Sequence, residues 1–175
     1  MEPNNIFEPD NSADSSSGLR TTFDWAIWIQ WVLVTTVGWM LGLALGGEIG
    51  VGVFVGAAQW VVLRRYFSQA WWWILASAAG WLVGWAIITS GLFVPPGGGP
   101  FTAIVSGAVF GLTMGVTQWL ILRMWTRLAG LWILASIPGW TIGLIGLLGS
   151  ILAGAAAGVV TGFAFDFLRR FPYKE

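Results

Sequence analysis

The sequence predicts an all-α integral membrane protein with six transmembrane helices, arranged as three pseudo-repeated helix hairpins with both termini in the cytoplasm. Three observations lead to this fold class: an apolar composition, six long apolar segments, and basic residues confined to alternate connections. Of the 175 residues, 57% are hydrophobic and 9% are charged, whereas a soluble domain carries about 25% charged residues. So little charge cannot cover a water-facing surface.

A membrane-spanning helix needs about 20 mainly apolar residues. The chain supplies six such segments, at residues 23–45, 48–63, 71–94, 101–122, 128–146 and 148–168. The run PPGGGP at 95–100 separates the third from the fourth, and it predicts a loop because Pro and Gly at that density stop a helix.

The ends of the chain differ in composition from these segments. Residues 1–22 are rich in Asn, Ser and Asp and have no apolar periodicity, which predicts a disordered polar cytoplasmic tail. The six-helix membrane domain then covers 23–170, and residues 171–175 form a short cytoplasmic C-terminal tail.

The basic residues predict the orientation. They follow the second, fourth and sixth segments, as Arg64, Arg65, Arg123, Arg127, Arg169 and Arg170, whereas the other connections contain no Lys or Arg. Cytoplasmic loops collect Lys and Arg, so this face is expected to be cytoplasmic. Several tryptophans lie near the same face and predict an interfacial aromatic belt, namely Trp25, Trp28, Trp71, Trp72, Trp73 and Trp125.

An internal repeat organises the six segments. Residues 52–84 align without a gap on 111–143, and both contain the elements QW-x-x-LR and W-I-L-A-S-x-x-G-W. The first segment repeats the spacing of the second element as Trp31, Thr35, Gly38 and Trp39. The sixth repeats the Gly and Arg spacing of the first element, with Phe165 and Asp166 in place of Gln and Trp. Three helix hairpins follow from this pattern.

Gln59 and Gln118 are the candidate binding residues. Each shares a narrow helix face with glycines, and because membrane helices associate through small residues, these faces are predicted to be packing seams. Two interpretations stay open: an interhelical hydrogen bond, or a buried site in which the amide binds a solute or a chlorophyll magnesium. The candidate ligand-binding set is Gln59, Gln118, Ser136, Trp60 and Trp119.

Three further residues have local interpretations. Pro138 is expected to bend the fifth helix and to mark any cavity, close to Ser136 and the glutamines. Glu48 either favours the start of the second helix electrostatically or contacts an ion or substrate. Asp166 precedes two arginines by three and four residues, so a local ion pair is expected.

The segments WIQWVLVTTVGWMLGLALG, GAAQWVVLRR, WWWILASAAGW, GVTQWLILR and GAAAGVVTG resemble a family of small, Trp- and Gly-rich six-span membrane proteins. That family, of uncharacterised function, is common in cyanobacteria and green non-sulfur bacteria. The resemblance covers residues 23–170 and brings no catalytic residue with it. It implies an organism with photosynthetic membranes, and residence beside pigment–protein complexes.

The composition also limits function. Without Cys or His, the chain offers no thiolate nucleophile, disulfide, imidazole base or ordinary zinc, haem or iron–sulfur ligand set. We therefore expect a non-enzymatic protein whose partners are the lipid bilayer and subunits of a larger membrane complex, in the plasma membrane or the thylakoid, with no nucleic acid.

The leading functional hypothesis is an accessory or structural subunit. The alternatives are a small-solute transporter or substrate-capturing component, and a pigment-, quinone- or lipid-binding protein. Chlorophyll and quinone are the cofactors that the last alternative would use, and none is required by the sequence.

Overall fold

The computed structural model describes residues 23–93, 98–145 and 152–173, so the predicted tail 1–22 and the last two residues lie outside it. Within these ranges the chain is helical and forms no strand. The helices are α1 (Trp25–Leu41), α2 (Gly47–Leu63), α3 (Trp72–Thr89), α4 (Pro100–Leu122), α5 (Gly130–Ile145) and α6 (Ala153–Leu168).

The observed helix ends follow the local chemistry. α3 ends at Thr89 rather than at 94, and Gly91 just beyond it takes φ +71°, a conformation that only glycine adopts without strain. Gly98 and Gly99 also take positive φ before Pro100 begins α4, as expected for Pro at the first helical position. The described part of the predicted loop 95–100 is therefore non-helical up to Gly99.

α1 and α2 form a hairpin with almost no connecting loop. α1 continues into a π-helical turn, Gly42–Gly46, and the chain reverses at Gly47, which has φ +58°. A Cβ atom on Gly42 would lie 2.7 Å from the Cα atom of Val51, closer than van der Waals contact allows. The hairpin therefore depends on glycine where the two backbones touch.

The six helices close into a ring. In the described residues each helix packs against two neighbours, in chain order, and α6 packs against α1. The contacts are antiparallel throughout; at the closure, for example, Gly154 lies on Trp39 and Gly162 lies on Trp28. Neighbouring helices in the ring thus alternate in direction.

Glycine faces form the seams of this ring, as the sequence predicts. A Cβ atom on Gly111 would come within 2.5 Å of the Cα atom of Ile137, and one on Gly52 within 2.7 Å of the carbonyl oxygen of Ser77. Backbones this close gain dispersion contacts that do not depend on exclusion of water. The repeated glycines of α2 and α4 thus account for tight packing on α3 and α5.

The outer surface of the ring is apolar. Three helical stretches are long and apolar enough to cross a membrane: Trp25–Leu63, which the reversal at Gly47 divides into α1 and α2, Trp72–Thr89 and Pro100–Leu122. The helices α5 and α6 are shorter and also apolar. Leu134 is 65% exposed and Ile142 is 55% exposed, and apolar surface of this extent marks contact with lipid or another protein. The described fold is therefore all-helical, with an apolar exterior and helices of the length and composition that cross membranes.

Candidate functional site

Tryptophans from α1, α3 and α5 meet on the axis of the ring. The set nearer the arginine end, called the lower triangle, consists of Trp31, Trp73 and Trp132. The ring centroid of Trp31 lies 6.3 Å from that of Trp73 and 5.7 Å from that of Trp132, those of Trp73 and Trp132 lie 5.4 Å apart, and the interplanar angles are steep. All three are buried. Edge-to-face contacts of this kind contribute about 0.5–1.5 kcal/mol beyond the area that they bury.

A second set, the upper triangle, contains Trp39, Trp81 and Trp140, with centroid separations of 5.7, 5.6 and 5.6 Å. Each follows its lower counterpart by two helical turns, a rise of about 12 Å. These three residues are also buried. Two indole layers therefore fill the axis where a pore would otherwise run.

The position of Trp73 corrects one sequence-based expectation. Trp73 was expected in the interfacial belt, but its side chain is completely buried in the lower triangle. A position near a helix end determines how deep in a membrane a side chain would lie, but not whether it faces outward or towards the axis. Trp73 lies on the repeat face of α3 and faces the axis. Trp25, Trp71 and Trp72 are exposed on the outside, as a belt requires.

Gln59 and Gln118 bind the lower triangle in the same way. The Nε1–H of Trp73 donates to Oε1 of Gln59 (2.9 Å), and Nε2 of Gln59 donates to Oγ1 of Thr35 (3.1 Å). In the next hairpin, Trp132 donates to Gln118 (2.8 Å), which donates to Ser77 (2.9 Å). Each amide thus joins its own helix to both neighbours.

In the third hairpin the acceptor for the indole N–H is a threonine instead of a glutamine. Phe165 replaces the glutamine and stacks on Trp31, with centroids 4.5 Å apart. The Trp31 indole instead donates to Oγ1 of Thr161 (3.0 Å), whose hydroxyl donates to the carbonyl of Ala157 (2.7 Å). Thr161 is the residue that sequence reasoning missed, because it aligns with Val55 and Met114 rather than with the glutamines.

These side chains form a polar ring between two hydrophobic clusters, one around each triangle. The polar ring is defined by Thr35, Gln59, Ser77, Gln118, Ser136 and Thr161, all of them buried. Ser136 donates to the carbonyl of Trp132 (2.8 Å). Within the described ranges no buried side-chain nitrogen or oxygen lacks a hydrogen-bond partner.

The candidate ligand residues are therefore divided between two places. Gln59, Gln118 and Ser136 belong to the polar ring, and both ends of each amide are bound to protein. Trp60 and Trp119 are half-buried below it, where the guanidinium groups of Arg64 and Arg123 each lie 5.2 Å from the indole centroid. A ligand at either amide would have to displace an indole or a hydroxyl, and its existence stays a prediction.

Asp166 occupies the position of Trp60 and Trp119 in the third hairpin, and it has become the centre of an ion-pair cluster. Its buried carboxylate binds Arg170 and accepts from Arg169 at 2.7 Å, so the expected local pair is present. Arg169 also binds Asp24 at 3.2 Å, and Asp24 accepts from the backbone N–H groups of Ala26 and Ile27. The cluster joins the start of α1 to the end of α6.

Two of the cavities lie at opposite ends of the ring, and a third, an apolar groove of about 540 Å³ on its outer side, is lined by Ile87, Ile104 and Ile137, the residue before Pro138. One, of about 120 Å³, lies at the arginine end between Tyr66, Trp125, Phe165 and Arg169. The other, of about 390 Å³, lies at the opposite end beside Glu48 and the upper triangle. The residues that line them do not include Pro138 or Ser136; α5 runs through Pro138 from Gly130 to Ile145, and Ser136 is fully buried.

Comparison with known proteins adds no assignment, because no protein-family model, no curated protein and no solved structure matches the chain. In the part of the chain that the structure describes, no group of three or more His, Cys, Asp or Glu residues could hold a metal ion.

We predict that Gln118→Leu and Trp132→Phe are energetically coupled, because each removes one partner of the same buried hydrogen bond. The single Gln118→Leu change should lower the free energy of unfolding by about 1–3 kcal/mol, and should cost less by about 0.6–1.7 kcal/mol when Trp132 is already Phe. The measurement is a double-mutant cycle of unfolding in detergent micelles.

Trp31→Phe provides the matched control, since the Trp31 indole binds Thr161 rather than Gln118. Gln118→Leu should couple to it more weakly than to Trp132→Phe, because Trp31 contacts the ring of Trp132 and not the Gln118 amide. Equal coupling of Gln118 to Trp31 and to Trp132 would show that the hydrogen bond is not the source.

Proposed function

We propose that the chain is an integral membrane protein of six transmembrane helices that acts, without enzymatic activity, as a structural or accessory subunit of a larger membrane complex. The filled axis carries this proposal: six buried tryptophans occupy the centre of the ring, and the amides of Gln59 and Gln118 there are bound to protein. A bundle without an open axis or a free polar group at its centre suits a protein that binds other subunits through its outer surface.

Six spans are supported by the depth that the shorter helices share with the longer ones. α5 carries Trp132 and Trp140 in the same two layers as Trp73 and Trp81 of α3, which is long enough to cross a membrane. Along α6, Gly154 lies against Trp39 of α1 and Gly162 lies against Trp28, so the two helices touch over this whole length. Both short helices therefore extend through the two tryptophan layers.

The orientation rests on charge. The six arginines of the membrane domain all follow the ends of α2, α4 and α6, at one end of the ring. The positive-inside rule assigns that end to the cytoplasm. Arg64 and Arg123, each held over an indole, suit contact with lipid phosphates there.

The polar ring weighs against the alternatives. A solute transporter needs a path along or beside the axis, and a pigment or quinone ligand needs a free polar group to fix it. Moving either kind of molecule to Gln59 or Gln118 would break a buried hydrogen bond, each of which costs about 1–3 kcal/mol to leave unmade.

The outward aromatic surface favours a protein partner. Trp71 and Trp72 stack with centroids 4.1 Å apart at the start of α3, and both are more than 40% exposed. A belt accounts for their depth, and tryptophan is also among the residues most enriched at the hot spots of protein–protein interfaces, so the same pair suits a partner that binds at this depth. The family resemblance favours a photosynthetic complex as the partner.

We predict the topology to be readable by cysteine labelling, because the chain has no native Cys. Ser68→Cys and Ser90→Cys place single thiols on exposed residues at opposite ends of the ring. In intact bacterial host cells, a membrane-impermeant maleimide should label Cys at position 90 and should label position 68 only after lysis. Labelling of position 68 in intact cells would contradict the orientation.

We also predict that the tagged chain, solubilised in mild detergent from its native membranes, co-purifies with a membrane partner in fixed stoichiometry. Trp71→Ala combined with Trp72→Ala should reduce recovery of that partner at least tenfold, because hot-spot tryptophans contribute about 2 kcal/mol or more. The measurement is size-exclusion chromatography with mass spectrometry and an absorption spectrum.

Leu131→Ala is the matched control, since Leu131 is the counterpart of Trp72 in the second repeat and is exposed to the same degree, and it should leave recovery unchanged. All variants should keep the wild-type unfolding temperature. A wild-type chain that elutes alone would contradict the subunit role, and visible absorbance from the isolated chain would favour the pigment-binding alternative.

A further inference from the structure

A cavity opens at the end of the ring opposite the arginines. Its volume is about 390 Å³, within the range of small-ligand sites. The ends of α3 and α5 and the starts of α2 and α4 surround it, through residues such as Thr89, Leu144, Glu48 and Ser106. The upper triangle of tryptophans separates this cavity from the polar ring.

Aromatic rings dominate the lining. Trp39, Trp81, Trp85 and Phe110 all contribute to it, and Trp81 is stacked on Phe110 with centroids 4.1 Å apart. The faces of such rings carry negative electrostatic potential and attract cations, Trp most strongly.

Glu48 adds a formal negative charge to the same cavity. The residue is exposed and lines the cavity, and its backbone carbonyl accepts a hydrogen bond from Nε1 of Trp81 at 2.6 Å, which holds it beside that indole. Its counterpart in the second repeat is Gly107, so the charge is unique to the first hairpin.

Among the residues that the structure describes, no Lys or Arg lies at this end of the ring. Residues 66–122 and 128–165 contain no Lys, Arg, Asp or Glu, which covers the connections between α3 and α4 and between α5 and α6. Within the described ranges the ion pairs involve Asp24 and Asp166 at the opposite end.

We propose that this cavity binds an organic cation, a quaternary ammonium or alkylammonium group, through the partly exposed indole of Trp85 and the carboxylate of Glu48, with the buried Trp39 and Trp81 as the floor beneath it. A dehydrated inorganic cation fits poorly, because Ca²⁺ takes six or more oxygen ligands and the side chains of the lining offer one carboxylate and two hydroxyls. The smaller cavity at the other end is lined by Arg169, which repels cations.

This site goes beyond the proposed subunit role and is independent of it, since Trp71 and Trp72 lie at the other end of the ring. The cation has two natural sources: the choline headgroup of a lipid, or a free amine in solution. Both present the same chemistry to the aromatic lining.

The test is calorimetric titration of the full chain in nanodiscs of phosphatidylglycerol, which has no choline group. Tetramethylammonium and choline should bind saturably with a stoichiometry of one. The neutral isostere 3,3-dimethylbutan-1-ol should bind at least about tenfold more weakly, because it keeps the shape and loses the charge.

Glu48→Gln and Trp85→Leu should each weaken tetramethylammonium binding about tenfold, whereas Arg65→Gln at the opposite end should leave it unchanged. Glu48 is exposed, so its substitution should leave the unfolding temperature at the wild-type value. In phosphatidylcholine nanodiscs, weaker apparent binding identifies the lipid headgroup as the occupant, and unchanged binding identifies a free amine.

Three results would overturn the proposal: no saturable binding of either onium ion to the folded wild-type chain, equal affinity for the neutral alcohol, or affinities unchanged by both cavity substitutions.

Discussion

The indole N–H groups of the lower triangle impose the constraint on which the rest of the structure depends. In a core without water, a buried donor must find a protein acceptor. Trp73 finds Gln59, Trp132 finds Gln118 and Trp31 finds Thr161. Each bond joins an odd-numbered helix to the even-numbered helix beside it, and the third joins α1 to α6. One interaction, repeated three times, both fills the axis and closes the ring.

Much of this fold could be predicted from the sequence, since the repeat places the glutamines on the glycine faces and the helix bounds agree with the apolar segments to within a few residues. Periodicity shows which residues share a face but not which helix that face meets. The inward direction of Trp73, the closure through Asp24 and Arg169, and the replacement of a glutamine by Thr161 one turn earlier all depend on the neighbouring helix. The sequence therefore could not reveal them.

Departures of the first and third hairpins from the repeat give the two ends of the ring different charges. Asp166 replaces a tryptophan and binds the arginines that follow α6, which leaves Arg64 and Arg123 as the basic residues held over indoles. At the other end, Glu48 appears in one repeat only and lies beside the upper triangle. A nearly three-fold core thus carries an arginine-rich end and, opposite it, an end where one carboxylate lies beside aromatic rings.

The most direct test of the central claim is hydrogen exchange at the indole N–H groups of the ¹⁵N-tryptophan-labelled chain in nanodiscs, followed by NMR and assigned by Trp→Phe substitutions. The account predicts that Trp31, Trp73 and Trp132 exchange far more slowly than the exposed Trp25, Trp71 and Trp72. It also predicts that Gln118→Leu accelerates Trp132 without affecting Trp31. Exchange of Trp73 and Trp132 as fast as that of Trp71 and Trp72 would contradict it.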